Sequence, residues 1–261
     1  MKDYIVALDL HGTLLDEQWK ISATQTRELI HLMKSLEGYA SFYVCTGNDY
    51  DFVEKHLPAD ILALIDGLVL ESGCILYEKR VKTYQVEDKA LASAKDLHSF
   101  FTGQSYPFVR YFGKREATVS LFTSDDKRQK PPADYVEVIK KDFSKTAYAD
   151  DFYVTWSNVA IDIIPKDISK WSLINKIKNS ACVIAFMDSY NDKEICEFSD
   201  FAILPKNTTD SLIHHLRWNN KLVFPLHKFH IFSNQCYISQ KPFADAVIEG
   251  LLALKESLFN R

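Results

Sequence analysis

Glycine and proline are scarce, 8 of each in 261 residues, which excludes a collagen-like or linker-rich chain and leaves helices and strands to dominate. An excess of positive charge is missing as well. The 31 basic and 35 acidic residues leave a formal charge of −4, the wrong sign for a surface that neutralises nucleic-acid phosphates or anionic lipid. No stretch approaches the roughly 18 uninterrupted apolar residues of a membrane helix, and the opening MKDYIVALDL lacks the apolar run and small-residue cleavage site of a signal peptide. Nucleic acid and membrane are therefore not expected as partners, and a cytoplasmic location is. The five cysteines, Cys45, Cys74, Cys182, Cys196 and Cys236, include no C-x-x-C pair, which argues against a disulfide framework or a zinc site and suits a reducing compartment.

What is present is a globular composition, 47% hydrophobic and 13% aromatic, enough to bury a sizeable core. Residues 4–10 (YIVALDL) form a short apolar run that ends in acidic and glycine residues, the pattern of a strand buried on both faces of a parallel sheet. A helix is expected over 22–35, a second buried strand over 39–45 that ends in Thr46-Gly47-Asn48, a short helix over 49–56 and a third strand over 66–70. The middle of the chain changes character. Runs at 74–77, 108–112, 117–123, 152–156 and 159–164 are strand-like, several of them alternating polar with apolar residues as a sheet with one solvated face would, with helices over 88–101 and 133–143 between them. We read residues 77–165 as an α+β module inserted into a core formed by 1–76 and 166–261. The core pattern resumes with a helix over 169–178, strands over 182–186 and 201–204, helices over 210–218 and 243–258, and a strand within 229–238. The expected class is α/β, a Rossmann-like core with a mainly parallel sheet flanked by helices, plus the inserted α+β layer.

Ligands of open parallel sheets bind at the carboxyl ends of the strands. Asp9 ends the first strand, Thr46 follows the second, and Asp188 and Asp192 follow the strand over 182–186. Each alone is an ordinary turn residue or helix cap; together they form a constellation. Phe42, Tyr43, Phe186 and Phe201 are read as core, His214, His215, His227 and His230 as surface or packing residues, and the cations Arg110, Lys114, Arg115 and Lys166 as solvated rather than substrate-binding.

In order along the chain, Asp9-Leu10-His11-Gly12-Thr13-Leu14, Thr46-Gly47-Asn48, Ser169-Lys170 and Asp188-Ser189-Tyr190-Asn191-Asp192 resemble the four motifs of the haloacid dehalogenase superfamily. The likeness is to its sugar-phosphatase branch with a large C2-type cap, which includes Cof-type, sucrose-phosphatase-like and trehalose-phosphatase-like hydrolases. The stretch Tyr237-Ile238-Ser239-Gln240-Lys241-Pro242-Phe243 resembles their tail. This resemblance implies an Mg2+-dependent phosphomonoester hydrolase that acts on a small phosphorylated metabolite, a sugar phosphate, through an aspartyl-phosphate. It implies Asp9 as nucleophile, Lys170 and Thr46 as groups that stabilise the phosphoryl oxygens, and phosphate contacts from Thr46, Gly47, Asn48, Lys170 and Asn191. Mg2+ would be held by Asp9, the backbone carbonyl of His11, Asp188 and Asp192.

The chain departs from the family pattern at His11, where the resemblance places the aspartate that protonates the departing alcohol and activates water. General acid/base catalysis is worth about 10²–10⁴-fold, and an imidazole has the chemistry for it. Met187 and Trp171 stand where the family has glycine, and Ser72 where it has asparagine; the two large side chains are expected to narrow the site. The alternative reading is a catalytically degenerate member that binds a phosphorylated ligand or a partner.

Overall fold

An apolar run with a carboxylate at its end builds the centre of the molecule. In the computed structural model, which describes residues 2–123, 131–157, 159–230 and 235–259, this run is β1 (Tyr4–Asp9), buried from Ile5 onward. The chain continues through α1 (Ala23–Leu36), β2 (Ala40–Cys45), α2 (Tyr50–His56), α3 (Ala59–Leu62), β3 (Gly67–Leu70), β4 (Ile75–Glu78) and β5 (Val81–Tyr84). A middle stretch holds α4 (Asp88–Thr102), β6 (Tyr111–Phe112), β7 (Val119–Phe122), α5 (Ala133–Phe143), β8 (Phe152–Trp156) and β9 (Ala160–Pro165). The last stretch holds α6 (Lys170–Ile177), β10 (Cys182–Phe186), α7 (Lys193–Phe198), β11 (Phe201–Leu204), α8 (Asp210–Trp218), β12 (Val223–Pro225), β13 (Cys236–Ile238) and α9 (Phe243–Phe259). Of the strand expected within 229–238, residues 231–234 lie outside the described residues, as do 124–130 and 158 of the expected inserted module.

Nine strands form one sheet in the order β12-β13-β11-β10-β1-β2-β3-β4-β5. Neighbours from β12 to β3 are parallel, and the β4–β5 hairpin adds an antiparallel edge. Parallel neighbours need crossovers, and helices supply them on both faces. The period-2 alternation of β1 sends Val6 and Leu8 to one face, where they join Leu29, Leu32, Met33 and Leu36 of α1 and Val247, Leu251 and Leu254 of α9. Ile5 and Ala7 go to the other, with Leu173 and Ile174 of α6 and Leu212 and Leu216 of α8. α1 starts where Ser22 and Gln25 cap each other's backbone N–H groups. The expected α/β class with its parallel sheet is the class observed.

A second, antiparallel sheet, β6-β7-β9-β8, carries α4 and α5 on one face. There Leu97, Phe101, Val136 and Ile139 pack on Val119, Leu121, Ile161 and Ile163. The intervening residues Ser120, Phe122, Ala160 and Asp162 belong to the opposite face. Alternation predicts that this face is solvated; instead Ser120, Phe122 and Ala160 are buried, because the sheet is laid over the core. An alternating pattern tells which residues share a face, not what covers it.

Candidate active site

The register of the large sheet assembles the site. β10, β1 and β2 are adjacent and parallel, with Leu8 opposite Phe186 and Asp9 opposite Cys45. Asp9 at the end of β1, Thr46 one residue past β2 and Asp188 two residues past β10 therefore meet at one sheet end. All three are buried.

Lys170 arrives from another direction, as the first residue of α6. Ser169 caps that helix, its hydroxyl accepting from the Ser172 N–H while the Ser172 hydroxyl accepts from the Ser169 N–H. The ammonium donates to Asp9 Oδ1 and Asp192 Oδ1, each at 2.5 Å. Asp192 also accepts from Ser189 Oγ at 3.2 Å, and Ser189 donates to Asn191 Oδ1 as well.

Three buried carboxylates face this single ammonium. Asp9, Asp188 and Asp192 each place an oxygen within 4.8 Å of the others. At an effective dielectric of about 20, two unit charges at that separation repel by roughly 3 kcal/mol. Burial, with Asp192 and Asp188 adding and Lys170 opposing, pushes the Asp9 carboxyl up to about 8. Burial works against the charge on Lys170, yet Asp192 and Asp9 hold its ammonium above the ordinary lysine value. A compact set of hard oxygen donors with this excess of negative charge fits a small divalent cation. Among the described residues it is the one cluster of three or more His, Cys, Asp or Glu side chains able to hold a metal.

Beside the carboxylates, Asn48 Nδ2 lies 3.1 Å from Thr46 Oγ1 and 3.1 Å from His11 Nδ1. The imidazole is packed by Phe52, edge-on at 4.8 Å, and by Trp19 at 5.7 Å. A cavity opens between the layers. The core lines it with Asp9, His11, Trp19, Thr46, Gly47, Asn48, Ser189 and Asn191, and the second sheet contributes Phe122, Ala160 and Asp162. Asp162, whose carboxylate accepts from Ser120 Oγ at 2.6 Å, is raised by burial, with Ser120 and Arg115 opposing.

Every site residue expected from the sequence stands at this cavity or in the carboxylate–lysine cluster at its base. Two expectations are corrected. Met187 is fully buried in the core that α6 and α8 form with the sheet, and Trp171 packs against that core and Phe198; neither lines the cavity. Arg115 is not solvated: its side chain is 6% exposed and donates from Nη2 to Asn48 Oδ1 at 2.7 Å. Lys114 and Lys166 are exposed, as read. Trp19, Phe122 and Asp162 escape sequence reasoning; for Asp162 the available signal is a lone carboxylate inside an apolar strand, AIDIIP.

Acidic groups and a lysine gathered at the strand ends of a parallel sheet, under a second sheet, define a capped α/β enzyme core. The chain belongs to the haloacid dehalogenase-like hydrolases, whose family model matches residues 6–130 and 114–221. Among solved structures it is similar to the sucrose-phosphatase from Synechocystis sp. PCC6803 in complex with sucrose and phosphate, with a TM-score of 0.69, 15% identity, and coverage of 97% of this chain and 98% of that one. The C-terminal domain of the trehalose-6-phosphate phosphatase from C. albicans is similar with a TM-score of 0.60 and 14% identity over 97% of this chain and 93% of that one. A haloacid dehalogenase-like hydrolase from B. subtilis gives 0.60 and 15% over 81% and 92%. No curated protein matches. The family expected from the four motifs is the one this match shows, and the solved structures share the expected fold.

Proposed function

We propose that the chain is an Mg2+-dependent phosphomonoester hydrolase acting on a small phosphorylated metabolite, a sugar phosphate. The observation that carries the reading is the buried set Asp9, Asp188, Asp192 and Lys170 beside Thr46 at a cavity closed by a second sheet. Membership of a hydrolase family and a structural neighbour that binds sucrose and phosphate support it. In this reading the core and an inserted cap divide the chain. The β4–β5 hairpin (75–84), most of it within the expected 77–165 insert, pairs with the core sheet, and in this reading the cap is taken to begin at α4. Five free thiols suit a reducing cytoplasm, and among the described residues no helix is long and apolar enough to cross a membrane.

Asp9, Asp188, Asp192 and the His11 carbonyl would hold the metal, which when bound supplies positive charge against the phosphate dianion and keeps Asp9 ionised. The Asp9 carboxylate attacks phosphorus, the bond to the substrate oxygen breaks, and His11 gives that oxygen a proton as the alcohol leaves. Lys170 and the Thr46 hydroxyl hold phosphoryl oxygens, with Gly47 and Asn191 completing the contacts; the donors of Asn48, expected among them, are spent on His11 and Thr46. Water then attacks the aspartyl-phosphate and gives a proton back to His11, so that inorganic phosphate leaves and both Asp9 and His11 are restored. Asp162 and Phe122 line the side of the cavity left for the organic part of the substrate, where a carboxylate suits sugar hydroxyls.

Phosphate release from a panel of sugar phosphates, with Mg2+ or with a chelator, tests this. Turnover should need the metal and vanish in Asp9→Asn, whose amide packs like the carboxylate but cannot form the acyl phosphate. Turnover without metal, or an Asp9→Asn variant as fast as the parent, overturns it.

A further inference from the structure

A primary amide has two chemically opposite ends, and what fixes one end fixes the other. Arg115 reaches out of the segment between β6 and β7 and donates from Nη2 to Asn48 Oδ1 at 2.7 Å. A guanidinium cannot accept, so the oxygen of Asn48 must face it. The guanidinium is itself held, Nη1 donating to the Lys114 carbonyl at 2.9 Å and lying 3.6 Å from Asp49 Oδ2. The amide nitrogen of Asn48 is thereby committed to the opposite side, where it meets His11 Nδ1 and Thr46 Oγ1, each at 3.1 Å.

Two consequences follow from counting protons. A nitrogen that donates to His11 Nδ1 requires that Nδ1 be bare, so the neutral ring carries its proton on Nε2. Thr46 Oγ1 accepts from Asn48 Nδ2 and from the Asn48 backbone N–H at 3.2 Å. Both of its lone pairs are used, and its own hydrogen remains for donation. Each group lines the cavity, and each is left in its donor form.

We infer that Arg115 is a positioning residue of the cap: by orienting the Asn48 amide it places the His11 proton on Nε2 and turns the Thr46 hydroxyl into a donor. This rests on the phosphatase reading for its catalytic meaning, since a phosphoryl oxygen and a departing alkoxide both need donors. It also ties the chemistry to closure. Arg115 travels with the cap, so the amide is set only while the cap sits on the core.

The test is the ring-nitrogen NMR spectrum of the full chain, labelled with 15N at histidine and free of metal and ligand. It is recorded at about pH 8, above the ordinary imidazole value of about 6.5, with His11 assigned as the signal lost in His11→Gln. The parent should show a bare Nδ1 and a protonated Nε2. In Asn48→Asp, which keeps an acceptor for Arg115 but puts an acceptor against the ring, Nδ1 should become the protonated nitrogen. Arg115→Met should lower kcat for an alkyl phosphate by about 10–100-fold, the usual cost of losing a partner that orients a reacting group. The loss should be smaller for 4-nitrophenyl phosphate, which needs no proton to leave, with KM little changed, and Arg115→Lys should restore most of it. A protonated Nδ1 in the parent, an unchanged His11 spectrum in Asn48→Asp, or an Arg115→Met loss confined to KM or equal for both substrates overturns the inference. The spectrum reads out even in a protein that hydrolyses nothing, whereas Asp9→Asn decides the phosphatase reading, so the two fail separately. Should Arg115→Met not fold, Asn48→Asp and Arg115→Lys decide the matter.

Discussion

At the scale of residues, the site is governed by an excess of buried negative charge. The Asp9 carboxyl stands near 8 in the metal-free protein because burial, with Asp192 and Asp188, outweighs Lys170. A folded value raised above the ordinary carboxylate value of about 3.9 means the folded state binds the extra proton, so this group's contribution to stability falls as pH rises from about 4 to about 8. A divalent cation reverses that penalty, but below about pH 8 it must first displace the proton. Mg2+ should therefore raise the melting temperature more at about pH 8.5 than at about pH 6, approaching the ~2.7 kcal/mol expected at one hundred times Kd. Asp188→Ala should abolish the effect; equal shifts at both pH values would refute the role given to Asp9. At His11, substitution by alanine should slow alkyl phosphate hydrolysis by about 10²–10⁴-fold and aryl phosphate hydrolysis less, measured as kcat at saturating Mg2+. Asp9, Thr46 and Asp188 are legible in the sequence because each follows an apolar run, and strand ends are where parallel sheets put ligands. Arg115 is not, because a lone cation reads as solvated until two separately folded layers are seen to bury it.

At the scale of elements, the placement of Lys170 depends on a turn that the sequence marks with a single glycine. Glu71, Ser72 and Gly73 have φ values of 47°, 59° and 106°, a left-handed run that only glycine adopts easily. A Cβ on Gly73 would lie 2.2 Å from the Ser169 carbonyl oxygen, against the residue that caps α6. Backbone cannot swing aside as a side chain can. Gly73→Ala should cost about 3 kcal/mol or more, from the strained φ and the overlap together, as denaturant unfolding would record. It should also displace the start of α6 and lower kcat; an unchanged midpoint would sink the argument. Long elements such as α1 and α9 are readable from their length and helical spacing. α3 (Ala59–Leu62) and β12 (Val223–Pro225) are too short for any period to register, and β5 is exposed along its whole length, so no buried face marks it.

At the scale of the molecule, the change to alternating strands reveals an inserted layer, yet says nothing of how it is fastened. The fastening is unequal. Lys114 and Asp51 pair across the layers at 2.6 Å, but both side chains are largely exposed, 82% and 69%, and such pairs contribute little once solvent screens them. The aromatic stack of Trp156 on Tyr190, with ring centres 5.9 Å apart, adds an apolar contact. The tie that should dominate is Glu71, fully buried at the entry to the cap, whose carboxylate accepts the Glu116 N–H at 2.9 Å and the Ala117 N–H at 2.8 Å. Burial raises the pKa of this carboxyl while the Ala117 and Glu116 N–H groups pull it back, so these hydrogen bonds are what hold the buried group to the cap strand. Removing the acceptor strands the buried Ala117 N–H, and a buried donor left unmade costs about 1–3 kcal/mol, with the Glu116 N–H adding to it. Glu71→Ala should therefore lower stability by about 3 kcal/mol, make the α4–β9 segment more sensitive to limited proteolysis, and raise KM for a sugar phosphate more than for a minimal alkyl phosphate that touches little of the cap. Lys114→Ala should match the parent in all three measurements. If the two variants behaved alike, the cap would be held by its apolar face against the core, and the carboxylate at its entrance would have no part in closure.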